Sequence, residues 1–217
     1  MFKNREEAGK ALAKKLKKLY DENKIVDPVV VAIPRGGVAV GLEIAEELKA
    51  PLDLLFVKKL PAPKNEELAI GSISESGLVF LNKELIEKLN VENEYIQQKG
   101  VEIIQDMARK REAYKHEPIL LEGKDVIIVD DGIATGATMH LAAQSVARDL
   151  PRNIIIASPV APNDEEVLNM LKSVSHHVEI LHIPDMFMSV GKWYEDFHQL
   201  SDKEVKELLK KSQKIEN

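Results

Sequence analysis

An open, doubly wound α/β fold around a mostly parallel five-stranded sheet is predicted by three features of this sequence. Short apolar runs alternate along the chain with segments of helical periodicity. The runs show no polar alternation, the mark of strands covered on both faces of a parallel sheet. Glycine-containing turns follow two of these runs and precede helical stretches, which is where open α/β sheets place their ligands.

The elements follow in order. Residues 4–20 carry Ala8, Leu12, Leu16 and Leu19 at helical spacing and predict an amphipathic entry helix. Pro28 to Ile33 is a β-branched run, ending in Pro34-Arg35-Gly36-Gly37 and a helix to Leu48. Leu52 to Val57 is the second buried strand. Lys58 to Glu67 is polar, holds Pro61 and Pro63, and predicts a mobile loop. Ile70 to Ser74 and Leu78 to Phe80 predict a short hairpin around Glu75-Ser76-Gly77. Asn82 caps a helix, and 92–116 form a long one whose Arg109, Lys110, Arg111 and Lys115 suit the helix dipole. Val126 to Val129 is the third buried strand, followed by a glycine loop and a helix to about Leu150. Ile154 to Ala157 and Val178 to His182 complete the five, with Asn163-Asp164-Glu165-Glu166 charging a helix start between them. Ser201 and Glu204 form a capping box for the last helix.

At 217 residues the chain suits one α/β domain, 1–217, without a repeat or an interdomain linker. Its net charge of -6 argues against a nucleic-acid binder. The lysines of the first helix read as a solvated face. There is no cysteine, which excludes disulfides and thiolate metal sites. No apolar run approaches the ~20 residues of a membrane span, and the polar N-terminus lacks a signal-peptide core. The expected location is cytoplasmic, with no membrane partner.

The chemistry concentrates after the third strand, in Val129-Asp130-Asp131-Gly132-Ile133-Ala134-Thr135-Gly136-Ala137-Thr138. Two adjacent acids at a strand end cannot both enter an apolar core without a large desolvation cost. They suit a polyhydroxyl group, a cation, or both. Gly132 to Gly136 supplies permissive backbone just before a helix, with the hydroxyls of Thr135 and Thr138, and free N–H groups there suit a phosphate. A Walker loop is excluded, because three residues separate the glycines and Ala137 replaces the lysine. A dinucleotide fingerprint is excluded by Arg35-Gly36-Gly37 and by the basic Lys58-Lys59 end of the second strand. No Gly-x-Ser-x-Gly elbow points to a hydrolase.

This run resembles the phosphoribosyl-pyrophosphate motif of the type I phosphoribosyltransferases: four apolar residues, two acids, a Thr-Gly loop and a closing threonine. The similarity extends over nearly the whole chain to a branch sharing Pro34-Arg35-Gly36-Gly37-Val38, Ala69-Ile70-Gly71, Asp130 to Met139 and Val190-Gly191-Lys192-Trp193-Tyr194. The resemblance implies that fold, with a small C-terminal hood at 183–200, and a family that is commonly dimeric. It implies that Asp130 and Asp131 hold the ribose 2′- and 3′-hydroxyls, directly or through water on Mg²⁺. The loop from Ala134 to Thr138 would wrap the 5′-phosphate. Arg35, Gly36 and Gly37 stand in the place of the pyrophosphate loop, which often contains a strained or cis peptide. Lys58 and Lys59, with Lys64, stand where the family carries its flexible catalytic loop. Phe187 is the implied stacking residue on the base, with Trp193 second. His176, His177 and His182 read instead as surface histidines, not a metal cluster.

The chain departs from the 6-oxopurine enzymes of that family at two places. Ala134 replaces the aspartate that serves proton transfer at the purine, and Ala157-Ser158-Pro159-Val160-Ala161-Pro162 lacks the lysine that reads the 6-oxo group. Both changes touch the acceptor and leave the sugar-phosphate machinery in place. Two readings follow. One is a Mg²⁺-dependent phosphoribosyltransferase acting on an unidentified nitrogenous base. The other is a non-catalytic sensor of phosphoribosyl pyrophosphate or a nucleotide, with the same fold.

Overall fold

The computed structural model describes residues 1–213. Helix α1 (Arg5–Asp21) starts at Asn4, whose side chain accepts the Glu7 N–H, and it buries Ala8, Leu12, Ala13 and Leu16. Strand β1 (Pro28–Ala32) leads into α2 (Gly36–Leu48) and β2 (Leu52–Leu54). A second set of strands follows, β3 (Val57–Ala62), β4 (Asn65–Ser74) and β5 (Val79–Leu81), then α3 (Lys83–Lys88) and the long α4 (Asn93–Tyr114). The chain then alternates through β6 (Asp125–Val129), α5 (Ala137–Val146), β7 (Asn153–Val160), α6 (Glu165–Ser173) and β8 (His177–His182). A short 3₁₀ turn over Val190–Trp193 precedes α7 (Asp202–Ser212), which carries the predicted Ser201–Glu204 capping box. No helix among the described residues is long and apolar enough to cross a membrane.

The main sheet has five strands, all parallel, in the order β2-β1-β6-β7-β8. Alternate residues of each strand serve two apolar layers. Val30, Ala32, Ile127 and Val129 pack with Leu12 and Leu16 of α1 and Ile44 of α2. Val29, Val31, Val126 and Ile128 pack with Met139 of α5 and Leu171 of α6. Helices therefore cover both faces of the central strands, which is why Val29 to Ala32 and Val126 to Val129 are apolar and buried.

The expected loop between Lys58 and Glu67 is instead paired backbone. Strands β3 and β4 run antiparallel from Val57↔Ser74 to Ala62↔Asn65, and β5 joins them as a third strand. The predicted hairpin is thus the outer part of a second sheet. The second buried strand is also shorter than expected, closing at Leu54, with Val57 already in the small sheet. Polar content concealed β3 because only Leu60 and Ala62 of it are buried. Its Pro61 sits at a register irregularity, where a missing N–H is tolerated.

Candidate active site

From β1 the chain moves outward to β2, whereas from β6 it moves the other way through β7 to β8. A crevice opens between strands at such a switch point. The carboxyl ends of β1 and β6 meet there in register, Ala32 opposite Val129, with the Ile33 N–H donating to the Val129 carbonyl at 2.9 Å. Pro34 to Gly37 follows one strand and Asp130 to Thr138 the other, so the two glycine turns seen in the sequence become neighbours.

Both turns approach so closely that side chains are excluded. A Cβ on Gly36 would lie 1.8 Å from Asp131 Oδ2, and one on Gly37 would lie 2.7 Å from the Val129 carbonyl oxygen. Gly36 is required by the Asp131 carboxylate and Gly37 by the Val129–Asp130 backbone. The Pro34–Arg35 peptide is cis. Gly132 lies under the C-terminal segment, where a Cβ would come 2.2 Å from Val190. Gly136 adopts φ 75° at the start of α5, a conformation that favours glycine.

The loop is anchored by Ile133, buried, whose N–H donates to the Val160 carbonyl at 2.8 Å. Ala134 and Thr135 are exposed beyond it. No side chain caps the first turn of α5, and the first N–H groups of a helix have no acceptor within it. Lys59, Asp130, Gly132 to Gly136, Thr138 and Met139 enclose a cleft of about 190 Å³. A lysine, a carboxyl group and two threonines line it together.

Lys58 and Lys59 are separated by the pleat of β3. Lys59 faces the cleft, while Lys58 turns to the opposite face and pairs with Asp106 of α4, holding that carboxyl below its usual range. Lys64 lies at the β3–β4 turn with φ 64°. Arg35 points to the first turn of α7, with Nη1 3.8 Å from Asp202 Oδ1, and that oxygen also accepts the Tyr114 hydroxyl at 2.7 Å. Phe187 is half-buried between exposed Met186 and Met188. Trp193 stacks on His182 with ring centroids 5.9 Å apart and joins an apolar cluster with Phe2 and Ala8. Neither aromatic lines the cleft. His176 accepts the Ile154 N–H at 3.0 Å, His177 lies 3.3 Å from Glu179, and no histidine-rich metal cluster occurs among the described residues.

The acids differ in their partners. Asp130 Oδ1 accepts the Asp131 N–H at 2.8 Å. Burial, then the neighbouring Asp131 charge, pushes the Asp130 carboxyl well above its ordinary value. Burial also raises Asp131, opposed by the charge of Arg5, whose Nε lies 2.6 Å from Oδ2. Arg5 and Tyr194, whose hydroxyl donates to the Asp131 carbonyl at 2.5 Å, hold Asp131 from behind the cleft-lining acid. Sequence reasoning missed Arg5 entirely. It lies in the first turn of an amphipathic helix 126 residues from its partner, with no local pattern to mark it.

Comparison with known proteins agrees with this geometry. A family model for the phosphoribosyl transferase domain matches residues 1–178. Two Mycobacterium tuberculosis proteins, from strains CDC 1551 and H37Rv and each named "Putative phosphoribosyl transferase", are 36% identical over 207 residues, 94% of this chain. The chain spans 45% of their length. The crystal structure of TT1426 from Thermus thermophilus superposes with a TM-score of 0.78 at 34% identity, covering 96% of this chain and 97% of that one. The chain belongs to the phosphoribosyl transferase domain family.

Proposed function

We propose that the protein transfers ribose 5-phosphate from phosphoribosyl pyrophosphate to a nitrogenous base, releasing pyrophosphate. The observation that carries this reading is the convergence of Lys59, Asp130 and the Gly132–Thr138 loop on one cleft at the switch point of the sheet. The free amides of the loop and the α5 N-terminus suit the 5′-phosphate. The acid end of β6 suits the ribose hydroxyls, as hydrogen bonds to ionised acceptors are among the stronger ones. Lys59, on an exposed strand beside the cleft, is placed to neutralise the departing pyrophosphate. Fixing donor and acceptor together lowers the entropic part of the barrier to displacement at the anomeric carbon.

The donor set fits Mg²⁺, which takes one or two carboxylates plus substrate phosphates and keeps several waters. Asp130 offers such a carboxylate, its charge already disfavoured by burial and so relieved by a cation. When bound, the ion would neutralise pyrophosphate charge.

Ala134 is an exposed methyl in the cleft wall, so this position supplies no proton-transfer group to the acceptor. That favours acceptors other than 6-oxopurines, and it is also the feature most compatible with a sensor. The test is pyrophosphate release from phosphoribosyl pyrophosphate and Mg²⁺ across a panel of purine, pyrimidine and other nitrogenous bases. Turnover with at least one base is expected. Tight donor binding without turnover across the panel would replace the transferase with the sensor.

A further inference from the structure

Asp130 and Asp131 are adjacent in sequence but stand in unequal surroundings. Asp131 is enclosed. Its carboxylate receives Arg5 Nε at 2.6 Å, and Gly36 packs so closely against Oδ2 that a Cβ would fall 1.8 Å away. Arg5 is itself fixed, donating from Nη1 to the His198 carbonyl at 2.8 Å and lying 4.0 Å over the Phe197 ring. The main chain of Asp131 is held by the Tyr194 hydroxyl. Asp130, by contrast, lines the cleft with Lys59 and the loop, and Asp131 does not.

We propose that the acid pair is divided: Asp130 engages the ribose hydroxyls, and Arg5 is a positioning residue that neutralises Asp131 and withdraws it from the ligand. This rests on the reading that the cleft holds a phosphoribosyl group. The physical reason is charge. Phosphoribosyl pyrophosphate is polyanionic, and a second uncompensated carboxylate one residue from its ribose would repel it in a weakly screened crevice. An arginine suits the task better than a lysine. Its planar fork reaches a carboxylate and a carbonyl at once while its face stacks on an aromatic ring.

Affinity for phosphoribosyl pyrophosphate with Mg²⁺, measured by calorimetry, tests the division. Asp130→Asn is expected to weaken binding on the order of a hundredfold, the loss of charge-assisted hydrogen bonds to the ribose. Asp131→Asn should stay within about threefold of wild type. Arg5→Met should weaken binding on the order of tenfold by baring the Asp131 charge, and adding Asp131→Asn to it should restore most of that loss. A merely structural arginine would not be rescued by removing the charge it neutralises. Equal losses from the two asparagine variants, or no rescue in the double variant, overturn the division while leaving the cleft reading intact. Failure of folded wild type to bind the donor overturns the cleft reading and the division with it. Should Arg5→Met not fold, the contrast between Asp130→Asn and Asp131→Asn decides alone.

Discussion

At Asp130 the protein holds a carboxyl where its charge is disfavoured. Because burial and Asp131 raise its pKa above the unfolded value of about 3.9, the folded state binds its proton more tightly than the unfolded chain does. The stabilising effect of that difference is fully present below about pH 4 and is lost as pH rises through the folded value. Near neutrality the ionised group costs stability that a neutral amide would not. Asparagine also keeps the oxygen that accepts the Asp131 N–H. Asp130→Asn should therefore melt at a higher temperature than wild type at pH 7, with the gap closing toward pH 3. A lower melting temperature at pH 7 would refute this. Destabilised groups of this kind are expected where binding, not stability, is selected.

At the scale of the element, β3 shows how a pleat assigns roles to neighbouring residues of one type. Lys59 and Ser72 are opposite each other on the face toward the cleft and α5, whereas Lys58 and Ile73 share the face toward α4. A strand fixes this division because successive side chains alternate. Lys59→Met is expected to lower the rate of pyrophosphate release, and Lys58→Met to leave it near the wild-type value while removing an exposed ion pair. That pair should contribute under about 1 kcal/mol. The reverse order of effects in steady-state assays would show that the strand pairs in another register when donor is bound.

At the scale of the whole molecule, one polar cluster ties the two sheets together. Arg111 of α4 forks onto Glu75 in the β4–β5 turn at 2.8 and 2.7 Å and reaches Asp53 of β2 at 3.2 Å. Asp53 also accepts the N–H groups of Leu54 and Ile119, and His116 lies 3.3 Å away. Burial alone would raise the Asp53 carboxyl, but the His116, Ile119 and Arg111 interactions outweigh it and hold the value below normal. Its stabilising contribution is present above about pH 4 and is lost as pH falls through the lowered folded value. Arg111→Met leaves two carboxylates without their shared cation. It should cost about 3–5 kcal/mol at neutral pH, read as a lower urea midpoint at unchanged slope. A loss under about 1 kcal/mol would show that the cluster does not join the sheets.

The main sheet and the family were legible in the residues alone. Continuous runs such as Val126 to Val129 need cover on both faces whatever else the chain does, and two acids before a Thr-Gly turn at a strand end mark the family. Asn82, Asp164 and Ser201 marked helix starts because a cap acts within four residues of itself. What depended on distant pairing was decided only by the tertiary structure. Strand β3 was hidden because it is held by pairing with β4, and its two lysines stand on opposite faces, which breaks any apolar pattern. The separation of Lys59 from Lys58 required that register. Arg5 became part of the site only when the first helix docked beside the end of β6, a contact across 126 residues that no local periodicity encodes.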